Sequence, residues 1–293
     1  MTQYADNISD FHQFSHRLLN IAAASDKPFV RDSNEMIQYA LSCAKELPEE
    51  YGWRYMNVEA FQDLAGTIHT AEEFNTIYWN DILRNFEAYA ITVFWRGIEI
   101  IKPCIRSLNL NEFVTPAILA RSALELSASF IENANIINQT INKFPPRIHN
   151  SIETSKDLEK LSLRILFGTR LSKDVPDHVK QKNILTTLQK LTKDQNAAEL
   201  FPTYEFLCEI AHPNVIGNAV FWADIVRKNE DGSETIRIKR AHEYDRNIEV
   251  IEKILWSLGW SAACLRNGFH IIHDAIELVM KRFPALHKHL RIS

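Results

Sequence analysis

Two apolar stretches of this sequence each carry an arginine and a glutamate at helical spacing. Arg96 and Glu99 stand three residues apart in ITVFWRGIEII, and Arg121 and Glu125 stand four apart in AILARSALELSASF. Residues at these spacings share a helix face, so each couple can form an ion pair. Because the neighbouring residues are apolar, we expect both couples at the centre of the core. Removing Arg121 should then cost roughly 3–5 kcal/mol by leaving a buried carboxylate unpaired.

A third polar group lies in the segment PTYEFLCEIAHPN. Tyr204 and His212 share a helical stripe, Glu209 reaches the face of His212, and Asn214 follows the stretch. Pro213 disfavours helical geometry at the residue before it, so His212 should end the helix. Together with the two Arg–Glu couples, these residues form either a buried polar network that fixes helix register or a polar pocket between helices.

Two short patterns contain metal-ligating residue types. Glu209-x-x-His212 matches half of a carboxylate-bridged di-iron set, but the chain has no second Glu-x-x-His. His270-x-x-His273-Asp274 offers ligands from a single helix, which makes an incomplete zinc site. The sequence also lacks the common nucleotide-binding, nucleophile-elbow and HExxH motifs. We therefore expect no metal and no cofactor.

Composition favours a helical, cytoplasmic protein. The chain has 293 residues but only 8 glycines, and all-β folds need many glycine-containing turns. Its formal net charge is −4, so contact with nucleic acid would need a local basic patch. The four cysteines are far apart, as is typical of reduced core cysteines. We see no signal peptide, and the most apolar run, 88–101, is too short and too charged for a membrane span.

Helical periodicity dominates the chain. The longest predicted helices run over Ala71–Ile101, Glu112–Asn142 and Glu243–Lys281. Pro103 should stop or kink the first of them. Alternating residues around NEDGS predict one β-hairpin at about 219–240. The fold class is all-α: a helical bundle of long antiparallel helices with one inserted hairpin. We expect an accessory helical layer over 1–70 and the main bundle over 71–293.

The predicted hairpin needs support, because two strands alone are marginally stable. Its apolar residues share one pleat face and should rest on the helices or on a second copy of the chain. They are Phe221, Ala223, Ile225, Ile236 and Ile238. We also expect a homo-oligomer.

The order of these features resembles a known group. An apolar helix with Arg and Glu, then LARSALEL, then YEFLCEIAHPN before a hairpin and a long final helix resembles a group of uncharacterised bacterial helical proteins, distantly similar to the HEPN superfamily. The resemblance covers about residues 75–280. It implies an all-α bundle with an inserted hairpin, and a context of bacterial toxin–antitoxin or anti-phage systems.

HEPN ribonucleases carry an arginine, often followed by a polar residue, with a histidine shortly after it. Arg266-Asn267-Gly-Phe-His270-Ile-Ile-His273 resembles that pattern. Arg266 and His273 are two helical turns apart and share a face, with His270 between them. A guanidinium can hold an RNA phosphate while imidazoles move protons, without a metal. Three other Arg–His pairs stand five or seven residues apart: Arg237/His242, Arg282/His287 and Arg282/His289. The alternative is an exposed arginine beside helix histidines.

Two functions remain open from the sequence. The first is a non-catalytic binding or regulatory module that works through protein partners. The alternative is a HEPN-like, metal-independent ribonuclease acting on RNA. The enzyme requires Arg266 and His273 in a shared basic cleft, whereas the module predicts side chains that are buried, bound to carboxylates or facing solvent.

Overall fold

The protein is described from a computed structural model. The structure describes residues 13–53, 58–143, 151–169, 176–194, 197–214, 217, 221–238, 247–283 and 286. The chain is mostly α-helical, which confirms the all-α prediction. Its helices are α1 (His16–Ala24), α2 (Pro28–Arg31), α3 (Ser33–Glu46), α4 (Val58–Ala65), α5 (Ala71–Asn109), α6 (Val114–Lys143), α7 (Lys156–Phe167), α8 (Ile184–Leu191), α9 (Leu200–Ala211) and α10 (Ile248–Arg282). Two strands, β1 (Ala223–Lys228) and β2 (Glu234–Ile238), precede α10.

The chain divides into two compact units that interleave along the sequence. Unit 1 comprises Met1–Ala44, Arg96–Ala128 and Ile184–Cys264. Unit 2 comprises Lys45–Trp95, Ser129–Asn183 and Leu265–Ser293. Helices α5, α6 and α10 therefore each contribute residues to both units.

Side chains and backbone explain where α5 begins and ends. At its start, Thr70 Oγ1 accepts from the Glu73 amide (3.1 Å) and Glu73 Oε2 accepts from the Thr70 amide (3.1 Å), a reciprocal capping box. At its end, Asn111 has a positive φ of 61°, and the Glu112 amide bonds Ser107 O at 3.0 Å. This Schellman arrangement uses carbonyls that the helix leaves unpaired. The prediction is that Pro103 stops or kinks the helix, and of these two the stop is wrong, because α5 continues through this exposed position to Asn109.

Close helix contacts in unit 1 depend on small residues. Ser127 on α6 and Ser261 on α10 are both fully buried, and their hydroxyls hydrogen-bond at 3.0 Å. On α10, a Cβ added to Gly259 would lie 2.4 Å from the backbone oxygen of Phe29. Only glycine allows this approach of the two backbones.

The core of unit 2 is rich in aromatic side chains. Phe130 on α6 is fully buried and packs on Tyr89 of α5 with ring centroids 5.6 Å apart. The Tyr89 hydroxyl accepts a hydrogen bond from Asn133 at 2.9 Å, so the buried phenol is satisfied. Trp79 is also fully buried and stacks on Phe283 at 6.2 Å.

The strands β1 and β2 pair antiparallel and confirm the predicted hairpin. Gly232 occupies the turn with a φ of 82°, which an L side chain rarely adopts. Phe221 is buried and stacks on Phe113 at 5.5 Å. Ile236 and Ile238 are 55% and 79% exposed, so the prediction that they pack on this chain's own helices is wrong. The side chains of 223–227 lie outside the described residues.

Helix α6 is long and apolar enough to cross a membrane by length and composition alone. However, 44% of its most apolar window is buried inside the protein, and a core helix passes the same test. No other helix among the described residues meets this criterion.

Candidate functional site

A group of polar side chains in unit 1 joins α6 to α9. The Arg121 Nε donates to Glu125 Oε1 at 3.2 Å, and the Tyr204 hydroxyl donates to the same oxygen at 2.9 Å. The Arg121 guanidinium also lies over the Tyr204 ring, 5.6 Å from its centroid, at cation–π distance. We call these three residues, part of the larger polar set grouped in the sequence analysis, the Arg121 cluster.

The Arg121 cluster lies at the surface rather than at the centre of the core. The side chains of Arg121 and Glu125 are 32% and 35% exposed, so the prediction of a buried ion pair is wrong in its depth. Tyr204 is itself buried. Burial, followed by hydrogen bonding to Cys208 and Glu125, raises the pKa of Tyr204, so its phenol keeps its proton at neutral pH.

Arg96 and Glu99 take no part in this cluster, and the prediction that they are buried is wrong. Both are exposed, and among the residues that the structure describes neither makes a hydrogen bond or an ion pair. They lie on the solvent-facing stripe of α5, which also contains Thr92 and Arg106. The buried stripe of the helix runs elsewhere, through Ile98 and neighbouring apolar residues. The local excess of apolar residues hid this periodicity in the sequence.

The end of α9 carries a separate polar group. His212 is the C-terminal cap of α9, as predicted, and its backbone amide donates to Cys208 O at 3.0 Å. Its imidazole is exposed. Glu209 accepts from the Asn214 side chain at 2.7 Å, and Asn214 Oδ1 accepts from the Gly217 amide at 2.6 Å. Glu209 and Asn214 therefore shape the chain that leaves the helix.

In unit 2, Arg266, His270 and His273 lie on one exposed stripe of α10. His273 Nε2 is 3.8 Å from a carboxylate oxygen of Glu277, and Lys281 binds the other oxygen at 3.2 Å. The stripe therefore alternates basic residues with a carboxylate. All three predicted residues are accessible, and His273 has an acidic neighbour one turn away.

Comparison with protein-family models, with curated proteins and with solved structures found no match. The chemistry of the candidate sites therefore has to be inferred from their own geometry. No group of three or more His, Cys, Asp or Glu in the described part of the chain could hold a metal ion.

The sequence interpretation missed a polar group on α5 in unit 2. Asn85 is buried, donates to Asp81 at 3.2 Å and accepts from the Trp53 indole at 2.9 Å. Two residues after Asn85, Glu87 accepts from the Tyr51 hydroxyl at 2.5 Å. Burial raises the pKa of Asp81 to about 6, although the hydrogen bond from Asn85 opposes the rise. We call Asp81, Asn85 and Trp53 the Asp81 cluster.

A signal for this group was present in the sequence. Asn80, Asp81, Arg84, Asn85 and Glu87 place polar residues every three or four positions along a helix that is otherwise apolar. Helical periodicity could not predict that Tyr51 and Trp53, in the segment before α4, cover these polar residues. Aromatic residues in a stretch without helical periodicity gave no indication of their partners.

The Arg121 cluster has the groups for binding rather than for bond cleavage. Its tyrosine is protonated, and its glutamate is already occupied at one oxygen by two donors. Arginine carries five N–H donors, and the hydrogen bond to Glu125 uses only Nε. The remaining donors and the second oxygen of Glu125 can serve an outside partner through the exposed part of each side chain.

Proposed function

We propose that this chain is a non-catalytic binding module and that it contacts a partner protein through a surface on unit 1. We call this the Arg121 surface: Ile118, Arg121 and Glu125 on α6, with Tyr204 of α9 behind them. The observation that carries the proposal is that Arg121 is held by both Glu125 and Tyr204 while remaining 32% exposed on its side chain.

A held arginine is well suited to binding. A free arginine side chain loses rotamer entropy when it binds, and one already fixed by an ion pair and a ring loses less. Arginine and tyrosine are enriched among residues that dominate interface energies. Ile118 lies one turn from Arg121 and is 42% exposed, so the surface combines an apolar contact with a preorganised charge.

The proposed arrangement of the helices is more specific than the all-α class. The long helices form an antiparallel bundle, supported by the short 110–113 connection between α5 and α6. The Cys104 thiol donates to Pro116 O at 3.3 Å across that turn, as expected for neighbouring helices that run in opposite directions. The bundle acts as a homo-oligomer in the bacterial cytoplasm, in a defence or toxin–antitoxin context.

The experiment compares partners captured from cells by the tagged wild type and by three arginine variants. Arg121→Ala removes the held guanidinium, and Arg106→Ala removes an exposed arginine of the same unit on α5. We expect specific partners to be lost at least tenfold with Arg121→Ala and retained with Arg106→Ala. Arg121→Lys should also lose them, because lysine cannot reproduce the planar contact with Tyr204. Identical partner sets for all four proteins would contradict the proposal.

A HEPN-like ribonuclease is the second candidate, favoured by the accessibility of the α10 stripe. In that function, Arg266 would hold an RNA phosphate, and His270 and His273 would move protons. Glu277 weakens this candidate, since a carboxylate beside His273 repels phosphate. The chain's net charge of −4 also requires a local basic surface for RNA.

A further inference from the structure

We propose that β2 is a self-association strand, which pairs antiparallel with β2 of a second copy of this chain and is centred on Ile236. The starting observation is the exposure of this strand. All five residues of β2 are exposed, and Ile236 and Ile238 are 55% and 79% exposed. Large aliphatic side chains at alternate positions give the strand an apolar face that its own chain leaves open to solvent.

Among the described residues, no strand pairs with the outer side of β2. Within the described residues, the sheet has two strands, and β2 pairs only with β1. The outer edge of such a strand presents N–H and C=O groups that can pair with another strand. A two-stranded hairpin is also marginal by itself, and a second hairpin in register would make a sheet of four strands.

The side chains select the register of this pairing. When two copies of a strand pair antiparallel about a two-fold axis, the residue at the axis lies directly opposite the same residue of the other copy. Centring on Ile236 places Ile236 against its own copy, Thr235 against Arg237, and Glu234 against Ile238. The four isoleucines then form one apolar cluster on a single face of the sheet, because alternate residues share a face.

The neighbouring registers are worse. Centring on Arg237 would place two guanidinium groups directly opposite each other, and like charges in that position are destabilising. Centring on Thr235 would place each Ile236 against a Glu234 and leave Ile238 beyond the strand of the partner. In the Ile236 register, Glu234 lies opposite Ile238 but keeps its own counter-charge, since Lys228 is 3.5 Å away within the hairpin.

The size of the contact limits its strength. Five residues per strand bury much less than the roughly 1,200 Å² of a stable specific interface. The dimer should therefore form at micromolar or higher concentration and dissociate on dilution. This contact would supply the homo-oligomer of the proposed function, but it is separate from the Arg121 surface. Because oligomeric state is measured without a partner protein, partner binding through Arg121 can fail while the strand contact stands, and the reverse.

The first test is sedimentation velocity of the full chain over a concentration series. We expect the wild type to pass from monomer to dimer on concentration. Ile236→Lys places two ammonium groups face to face and should weaken the dimer at least tenfold. The matched control is Ile152→Lys, which changes an isoleucine that is 61% exposed in unit 2 and should leave the dimer intact.

The second test reads the register. Ile236→Lys and Ile236→Glu should each be monomeric, whereas their equimolar mixture should dimerise, because position 236 faces itself. A charge swap restores association only for a position at the two-fold centre. An unchanged circular dichroism spectrum for each variant shows that its fold is intact.

A cysteine at the same position gives a direct readout. Directly opposite residues in an antiparallel pair have Cα atoms about 4.5–5.5 Å apart, within disulfide range. Ile236→Cys should cross-link to a covalent dimer under mild oxidation, whereas Ile238→Cys, which faces Glu234, should cross-link much less. The wild type, with its four free cysteines, is the background.

A wild type that stays monomeric at every concentration overturns the proposal. So does a dimer that survives Ile236→Lys, because that dimer would use another surface. Equal cross-linking at positions 236 and 238 would overturn the register.

Discussion

The Arg121 cluster in unit 1 and the Asp81 cluster in unit 2 each contain a half-buried charged side chain, and they differ in whether a counter-charge lies beside it. Arg121 has a carboxylate one turn away and a tyrosine ring beneath it. Asp81 has the neutral amide of Asn85 as its hydrogen-bond donor, and no cation pairs with it among the described residues. Both charges belong to long helices. The Tyr204 ring lies against Arg121, whereas the Trp53 indole donates to Asn85, the hydrogen-bond partner of Asp81.

The difference shows what a counter-charge does. The Arg121 guanidinium is charged at any physiological pH, and the ion pair with Glu125 can hold it in a fixed position for binding. Without one, burial disfavours the charged form of Asp81 and raises the pKa of the carboxyl to about 6. A preorganised charge is thus suited to a binding surface, whereas an unpaired charge weakens the fold at neutral pH.

The largest expected effect belongs to Asp81. The folded-state pKa is raised to about 6 from an ordinary value of 3.8, so the native state binds the proton more tightly than the unfolded chain. The resulting stability is fully present below about pH 4 and is lost as pH rises through about 6. Asp81→Asn should therefore match the wild type near pH 4 and exceed it by roughly 1–2 kcal/mol near pH 7, after allowance for solvent screening.

The measurement is urea unfolding of both proteins at pH 4, 5, 6 and 7. Asp274→Asn is the control, since Asp274 is exposed on α10 of the same unit. Its difference from the wild type should not follow this pH profile. If Asp81→Asn were destabilised equally at all four values, Asp81 would be a structural acceptor rather than an unpaired charge.

A smaller effect is expected at Arg121. Because both side chains of the ion pair are about one-third exposed, Arg121→Ala should lower the free energy of unfolding by roughly 1 kcal/mol, well below the 3–5 kcal/mol expected of a buried pair. A double-mutant cycle with Glu125→Ala should give a coupling of roughly 0.5–1 kcal/mol. Arg96→Ala, at an exposed position on α5, should change stability by less than about 0.5 kcal/mol. A loss above about 3 kcal/mol for Arg121→Ala would show that the pair is buried.

Local patterns in the sequence were sufficient for the elements of the fold. Helical spacing placed Arg121 beside Glu125, Pro213 marked His212 as the end of α9, and the Asp231-Gly232 turn marked the hairpin. Each of these inferences depends on residues close together in the chain. The capping box at Thr70 and Glu73 belongs to the same class of local signal.

The burial of each polar side chain was harder to predict, because it depends on residues far away in the sequence. Arg96 and Arg121 have similar apolar neighbours, yet Arg96 faces solvent on its own and Arg121 meets Tyr204, which lies 83 positions later. Asp81 was missed because its environment comes from Asn85 and from Trp53 in a segment without periodicity. Ile236 and Ile238 alternate like core residues, but nothing within their strand could indicate that they stay exposed.

The most direct test of the central claim, that the chain binds rather than cleaves, is an RNA degradation assay with a metal chelator present. It compares the wild type with His273→Ala and with Arg121→Ala, each checked by circular dichroism for an intact fold at the assay temperature. The binding module predicts no RNA cleavage above buffer by any of the three proteins. Cleavage by the wild type and by Arg121→Ala that disappears in His273→Ala would contradict the account and assign the activity to the α10 stripe.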